Sequence, residues 1–236
     1  MRNAFVGLTI VLFGACAPSA PISYPDPARV PSVYERPPES GIQTSGLFRE
    51  VPPQGPFQPN LNLFACRMQI SNRPNTGPDG MVLNYSPIVV VNGIVIASAP
   101  ANDVCLSSGF GFRSGRMHKG IDLFARPAGT IYSAAPGKIL EVSKQTGFGN
   151  QVLIDHGNGV YSRYGHLDSF APALAPGQLV GFGEPLGVMG STGNATGVHL
   201  HYEILTGTYD TPRKSWGLTA NNPLDFPAWE GLDDLS

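Results

Sequence analysis

The sequence predicts a mainly β protein, a small antiparallel β-sandwich or open barrel. Three observations lead to this prediction. Glycine and proline are abundant, with 29 and 23 of them among 236 residues, which favours short strands joined by turns. Apolar residues occur in short runs bounded by turn residues. No long window repeats its apolar residues at the period of about 3.6 that an amphipathic helix requires.

Residues 1–16 have the features of an export signal. Arg2 supplies a positive start, and the stretch AFVGLTIVLF is apolar but too short to span a bilayer permanently. The small residues before Cys16 resemble a bacterial lipoprotein signal, in which the cysteine becomes the lipidated N-terminus. We therefore expect membrane attachment through a lipidated Cys16. Ordinary secretion and a retained anchor are the alternatives.

Residues 17–59 are predicted to be a proline-rich tether, because they contain 11 of the 23 prolines. Such a segment forms neither a helix nor a central strand. In polyproline II form it extends by about 3.1 Å per residue, which makes a semi-rigid spacer. A disordered stub and a segment lying on the domain surface are the other interpretations.

Residues 60–105 are predicted to form a small β module. The run PIVVVNGIVIAS places two apolar strands around Asn92-Gly93, a strong hairpin signal. If Cys16 is lipidated, Cys66 and Cys105 are left over, and two such cysteines often pair in an oxidising compartment. That bridge would close a loop of about 40 residues and stabilise the fold by ~3–4 kcal/mol. Two separate buried thiols are the alternative.

Residues 106–230 are predicted to be the main domain. GTIYSAAPGKILEVSK indicates a strand, a turn and a strand, and NQVLIDHGNGVYSRYGHL indicates a hairpin that turns at Asn158-Gly159. GQLVGFGEPLGVMG indicates a short strand pair with glycine bends, and VHLHYEIL indicates the last strong strand. All of these segments favour antiparallel pairing.

The chain contains only five histidines, and four of them occur in three suggestive patterns. His118 precedes Asp122 by four residues, and His166 ends the YGHL of the predicted hairpin. His199 and His201 alternate along the last strand, so both imidazoles point to one face about 6–7 Å apart. Each pattern alone is weak, since a surface pair or core packing explains it equally well.

Together these residues can build a catalytic zinc site. Zinc in hydrolases commonly takes three protein ligands and keeps a fourth position for water. His118, Asp122 and one histidine of the strand pair supply such ligands. His166 and the other strand histidine are then left for proton transfer and for stabilising the oxyanion.

Three stretches make the chain similar, over about residues 106–206, to the lysostaphin/LytM-type zinc metallopeptidases. They are GFGFRSGRMHKGIDLFARPAGTIYSAAPGKI, VLIDHGNGVYSRYGHL and GSTGNATGVHLHYEI, in that order. The resemblance implies a small β domain with a narrow groove, the duplicated hybrid motif. It also implies that the substrate is a peptide cross-link or stem peptide of bacterial peptidoglycan.

The resemblance assigns a role to each matching position. It implies that His118, Asp122 and His201 bind Zn²⁺, that His199 is the general base, and that His166 holds the oxyanion or the water. The remaining histidine, in DHGNGV, is expected to be structural.

The resulting hypothesis is a lipid-anchored endopeptidase on the periplasmic side of the outer membrane, with secretion as the alternative. One rival is a non-cleaving or self-blocked regulator of a cell-wall amidase or another envelope partner. Asn102 or Asp103 would cover the groove in the self-blocked form. A second rival is a structural zinc domain with four protein ligands. The net charge of −2 predicts no nucleic-acid partner, and the residues do not identify the bond that is cut.

Overall fold

The structure, a computed structural model, describes residues 55–68, 70–113, 115–210, 215 and 217–231. The predicted signal, residues 1–16, and the predicted tether up to residue 54 lie outside this part of the chain. No helix within the described ranges has the length and apolar character needed to cross a membrane.

The described residues form strands and turns without an α-helix, which confirms the mainly β fold class. The strands are β1 (Phe64–Ala65), β2 (Ile88–Val91), β3 (Ile94–Ala97), β4 (Cys105–Ser108), β5 (Gly111–Arg113), β6 (Arg116–His118), β7 (Ile121–Phe124), β8 (Thr130–Tyr132), β9 (Gly137–Gln145), β10 (Gly149–Gly157), β11 (Val160–Leu167), β12 (Ser169–Phe170), β13 (Leu179–Val180), β14 (Pro185–Val188), β15 (Leu200–Thr206) and β16 (Thr219–Asn221).

A nine-stranded sheet dominates the architecture. Its strand order is β1-β4-β7-β15-β11-β10-β9-β13, and β16 pairs with β15. Every pair in it is antiparallel except β1 with β4. A three-stranded sheet, β12-β14-β8, and the two hairpins β2–β3 and β5–β6 complete the fold.

The two predicted Asn-Gly hairpins are confirmed. Asn92 and Gly93 have φ values of 46° and 80°, and Asn158 and Gly159 have values of 51° and 68°. Positive φ at both central residues is the conformation that two-residue hairpin turns favour. The predicted strand pair in GQLVGFGEPLGVMG is wrong in its pairing, because β13 joins β9 while β14 lies between β8 and β12. Sequence-local patterns do not reveal which sheet a strand joins.

Side-chain alternation divides the large sheet into two faces. One face supplies Leu123, Val152 and Tyr202 to the main core, to which Ile131 and Leu186 of the small sheet also belong. A second buried cluster contains Leu153, Tyr161, Leu205 and Leu218. Along β15 the even-numbered residues therefore enter the main core, and the odd-numbered ones face the other way.

The first described residues lie on the domain surface. The Tyr132 hydroxyl donates to the Gly55 carbonyl at 2.8 Å, and the Phe57 ring packs 5.2 Å from the Tyr132 ring and 5.3 Å from the Phe182 ring. Asn102, proposed above as one of two groups that would cover the groove, accepts a hydrogen bond from the Gln58 amide at 2.9 Å.

Part of the predicted 60–105 module extends the large sheet. β1 pairs with β4, and β4 pairs with β7. The predicted boundary between residues 105 and 106 thus falls inside β4. The division of the chain into a module and a main domain stays a prediction.

A disulfide joins Cys66 and Cys105, which are 39 residues apart, so the predicted pairing is confirmed and the alternative of separate thiols is wrong. Cys66 directly follows β1, and Cys105 begins β4. The bond therefore connects the parallel edge strand to the strand that lies beside β7.

His156 is a core residue, as expected. Its Nδ1 lies 2.8 Å from the Pro136 carbonyl and its Nε2 lies 2.7 Å from the Ser162 hydroxyl. Because a carbonyl oxygen only accepts, Nδ1 carries a proton. Burial lowers the pKa of His156 to about 4, against smaller raising effects of the Pro136 hydrogen bond and the Asp155 charge.

We expect reduction of the disulfide to lower the free energy of unfolding by about 4 kcal/mol, because the reduced chain regains the entropy of a 39-residue separation. Urea unfolding with and without a thiol reductant measures this difference. The Cys66→Ala/Cys105→Ala variant should be as unstable as the reduced protein and should not respond to the reductant. Equal stability of the oxidised and reduced proteins would contradict the expectation.

We expect His156 to make the protein acid-sensitive. Its native pKa of about 4 lies below the ordinary value of 6.5, so the unfolded state binds more protons between these pH values. The stabilising contribution is complete above pH 6.5 and falls by about 3 kcal/mol as the pH drops towards 4. Urea unfolding across this range should give a flatter pH profile for His156→Gln than for the wild type. Parallel profiles would rule out this role.

Candidate functional site

Strands β7, β15 and β11 bring the predicted site residues together. His201 of β15 lies opposite Asp122 of β7 on one side and Gly165 of β11 on the other. His118 ends β6, one short turn before β7. Gly120 in that turn is essential, because a Cβ there would lie 2.3 Å from the Tyr202 carbonyl oxygen.

His118, Asp122 and His201 form a tight buried cluster. His118 Nε2 lies 3.0 Å from Asp122 Oδ1 and 3.1 Å from His201 Nδ1. His201 Nδ1 lies 3.0 Å from the same Asp122 oxygen. One potential ligand atom from each of these side chains thus faces the same point. Zinc bonds of about 2.0–2.1 Å imply ligand separations near 3.3 Å in a tetrahedral site, close to what the cluster provides.

Hydrogen bonds from the outer ring nitrogens of His118 and His201 determine which nitrogen of each ring faces Asp122. His118 Nδ1 lies 2.7 Å from the Gly109 carbonyl, and His201 Nε2 lies 3.2 Å from Glu203 Oε1. Both acceptors require a proton on those outer nitrogens, so His118 Nε2 and His201 Nδ1 are the nitrogens that can give up a proton and bind a cation beside Asp122. This donor set fits a metal ion whose histidine ligands are oriented by outer hydrogen bonds.

The electrostatics of the cluster favour a positive charge at its centre. Burial opposes ionisation of Asp122, but the hydrogen bonds and charges of His118 and His201 outweigh it and hold its pKa well below the usual range. Burial likewise opposes protonation of His201, but Asp122 and Glu203 raise its pKa to about 9. A proton or a metal ion satisfies the carboxylate.

His166 reaches the site through a β-bulge. Asn150 and Val152 of β10 pair with Leu167 and Tyr164, so β11 contains one extra residue between these pairs. His166 has a φ of 64°, which places its backbone in the left-handed region. Such bulges redirect a side chain beside a functional site.

A hydrogen bond to Thr192 holds the His166 ring. Nδ1 lies 2.7 Å from the Thr192 carbonyl, so Nδ1 carries the proton and Nε2 keeps a lone pair. Gly149 allows Thr192 this close approach, because a Cβ there would lie 2.3 Å from the Thr192 hydroxyl. Burial lowers the pKa of His166 to about 4, with a smaller opposing effect of the Thr192 bond, so the ring is neutral at pH 7.

His199 directly precedes β15 and bridges to Gly190. Its Nδ1 lies 2.8 Å from the Gly197 carbonyl, which again leaves a lone pair on Nε2. That Nε2 lies 3.7 Å from Asp122 Oδ1, and the ring centroid lies 4.7 Å from that of His166. The side chain is 14% exposed, so solvent reaches it.

The structure therefore gathers all five predicted site residues in one place. The arrangement combines three acceptors that can hold a divalent cation with two imidazoles whose Nε2 atoms can accept a proton. These are the chemical groups that a metal-assisted hydrolase needs.

The sequence reasoning missed the charged groups behind this cluster. Glu203 contacts His201, and Arg163 contacts Glu203 at 3.4 Å. Arg113 lies 3.4 Å from Asp122 Oδ2 and also hydrogen-bonds the Ser108 hydroxyl. The alternation of His199 and His201 extends to Glu203, and that signal could have identified the glutamate. No comparable pattern marks either arginine.

Residues 116–212 match the sequence profile of Peptidase family M23. A protein named DD-carboxypeptidase/endopeptidase Mpg, from Neisseria meningitidis, is 45% identical over 105 residues, which are 42% of this chain and 24% of that protein. Peptidoglycan DD-endopeptidase ShyB of Vibrio cholerae is 42% identical over 89 residues, which are 37% of this chain and 20% of that protein. The chain thus spans a quarter or less of the length of these two relatives.

One solved structure is similar to part of this chain. The catalytic domain of the prophage-encoded M23 protein EnpA from Enterococcus faecalis is 30% identical, with a TM-score of 0.45. The match covers 53% of this chain and 94% of that domain. Residues 116–212 contain all five site residues and form a domain that matches peptidase family M23.

Proposed function

We propose that the chain is a zinc-dependent endopeptidase that hydrolyses peptide cross-links or stem peptides of bacterial peptidoglycan. The observation that supports this most directly is the cluster of three lone-pair donors beside two imidazoles with available Nε2 atoms. The names of the M23 relatives from Neisseria and Vibrio support the substrate class.

The proposed metal ligands are His118 Nε2, Asp122 Oδ1 and His201 Nδ1. A zinc ion bound there would lower the pKa of a water molecule and polarise the scissile carbonyl. Gly109 and Glu203 hold the two ligating rings by their outer nitrogens. Arg113, beside the second oxygen of Asp122, favours coordination through Oδ1 alone.

His199 is the proposed general base. Its Nε2 accepts a proton from the attacking water and then donates it to the nitrogen of the departing amine, so the imidazole is neutral again after each cycle. The Gly197 carbonyl keeps the proton on Nδ1 and so directs the basic nitrogen towards the cluster.

His166 is the proposed second catalytic histidine. Because Thr192 takes the Nδ1 proton, Nε2 of the neutral ring can accept a hydrogen bond from the attacking water. This supports the interpretation that His166 orients the water rather than the oxyanion. Donation to the oxyanion would require the other tautomer.

An envelope location completes the proposal. We propose that a lipid on Cys16 attaches the chain to the periplasmic side of the outer membrane, where peptidoglycan is accessible. A relative from Escherichia coli, 40% identical over 89 residues, is named uncharacterized lipoprotein YgeR. Regulation by an amidase or another envelope protein is compatible with this location, but the intact set of site residues favours cleavage.

Replacement of His199 by alanine should abolish cleavage but leave zinc binding intact. We expect the rate of sacculus digestion to fall by about 10²–10⁴-fold, because the general base is lost. The zinc content should stay at the wild-type level, since His199 is not a proposed ligand. Mass spectrometry of released muropeptides measures cleavage and identifies the bond.

His156→Gln, assayed at pH 7.5, is the control, because it replaces a histidine outside the site. Wild-type digestion by His199→Ala would disprove the base assignment. A folded, zinc-loaded wild type that leaves sacculi intact would support the amidase regulator instead.

Replacement of Asp122 by alanine should weaken zinc binding by at least about 100-fold, because the proposed site loses its only anionic ligand. Competition with a chromophoric chelator measures the affinity. Asp155→Ala is the matched control, since that carboxylate accepts from the Gly157 amide in a hairpin turn and does not contact the cluster. Unchanged affinity in Asp122→Ala would place the metal elsewhere.

A further inference from the structure

A buried carboxylate lies directly behind His201. Glu203 follows His201 by two residues on β15, so both side chains occupy the same face of the sheet. Glu203 Oε1 lies 3.2 Å from His201 Nε2, on the side of the ring that faces away from Asp122. Only 1% of the Glu203 surface is exposed.

Arg163 compensates the charge of this carboxylate. It pairs with Glu203 across β11 and β15, and its Nη1 lies 3.4 Å from Glu203 Oε2. Arg163 is itself 2% exposed, so the ion pair lies in the interior.

Two further contacts hold the arginine in place. Its guanidinium carbon lies 4.5 Å from the centroid of the Phe148 ring, and its Nη2 lies 3.4 Å from the Ser215 carbonyl. The Phe148 ring in turn lies 5.6 Å from the His201 ring. The Phe148 ring therefore contacts both the Arg163 guanidinium and the His201 imidazole.

The geometry has a direct consequence for metal binding. An imidazole can carry its proton on either nitrogen, and only the form with the proton on Nε2 presents Nδ1 to a metal. An ionised carboxylate at Nε2 selects that form and stops the ring from rotating. A neutral amide at the same place would accept more weakly and could turn its NH₂ group towards the ring.

We propose that Glu203 is a positioning residue for His201, and that the buried ion pair with Arg163 holds the Glu203 carboxylate in place for this purpose. The inference rests on the proposed zinc site. It adds a residue that acts on the metal through a ligand and does not itself touch substrate.

The test compares the zinc affinities of Glu203→Gln and Glu141→Gln, measured by chelator competition. Glu141 is a matched control, because it is also a buried glutamate on a neighbouring part of the large sheet. Its carboxylate accepts hydrogen bonds from Gln145, Gln151 and Tyr209. We expect Glu203→Gln to bind zinc about 10- to 100-fold more weakly than the wild type, and Glu141→Gln to bind it equally well.

Thermal unfolding of both metal-free variants separates positioning from general destabilisation. Equal zinc affinity of folded Glu203→Gln and wild type would overturn the proposal. Equal weakening by both glutamine variants would also overturn it, because the effect would then belong to the sheet as a whole.

Two measurements cover the case in which Glu203→Gln does not fold. The double variant Glu203→Gln/Arg163→Met removes both charges together and should show the same loss of zinc affinity. In the zinc-loaded wild type, long-range ¹H–¹⁵N NMR spectra should show His201 protonated on Nε2. Protonation on Nδ1 would overturn the proposal without any variant.

These readouts do not depend on cleavage. If the wild type binds zinc but leaves sacculi intact, the proposed function fails. The role of Glu203 is then still decided by the zinc affinities of the glutamine variants. If the wild type cuts sacculi and Glu203→Gln keeps full zinc affinity, only the role of Glu203 fails.

Discussion

The alternation of side chains along β15 links the core of the protein to its functional site. Leu200, Tyr202 and Ile204 are buried in the main core, while His201 and Glu203 lie on the opposite face of the same strand. Any shift of register by one residue would exchange the two sets. Core packing therefore also sets the position of His201, a proposed metal ligand.

Hydrogen bonds around the cluster orient the histidine rings. Each inward-facing histidine donates its outer proton to an acceptor on the backbone or on a buried carboxylate, so the inner nitrogen of each ring is the one that can bind a cation or accept a proton. Burial keeps His166 neutral, whereas two carboxylates favour a positive charge on His201. One small region thus contains both a proton acceptor and a cation site, because the neighbours of the imidazoles differ.

Local patterns made much of this predictable from the sequence. Asn-Gly pairs marked both hairpins, and the two-residue spacing of His199 and His201 indicated a shared face. Pairing between distant segments was not predictable in the same way, as β13 and β14 show by joining different sheets. The contact of Arg163 with Glu203 depends on the register of β11 against β15, which no local motif encodes. The backbone conformation of His166 arises from a bulge relative to β10, another non-local property.

The left-handed backbone at His166 also constrains how this position can evolve. Glycine adopts a φ near 64° with less strain than histidine does, so it would relieve the backbone. It would also remove the imidazole that the proposed reaction uses. Selection for a more stable fold and selection for hydrolysis therefore act in opposite directions on this single residue. A lineage released from the need to cut would be expected to lose this histidine early, while its fold and its remaining cation site persisted.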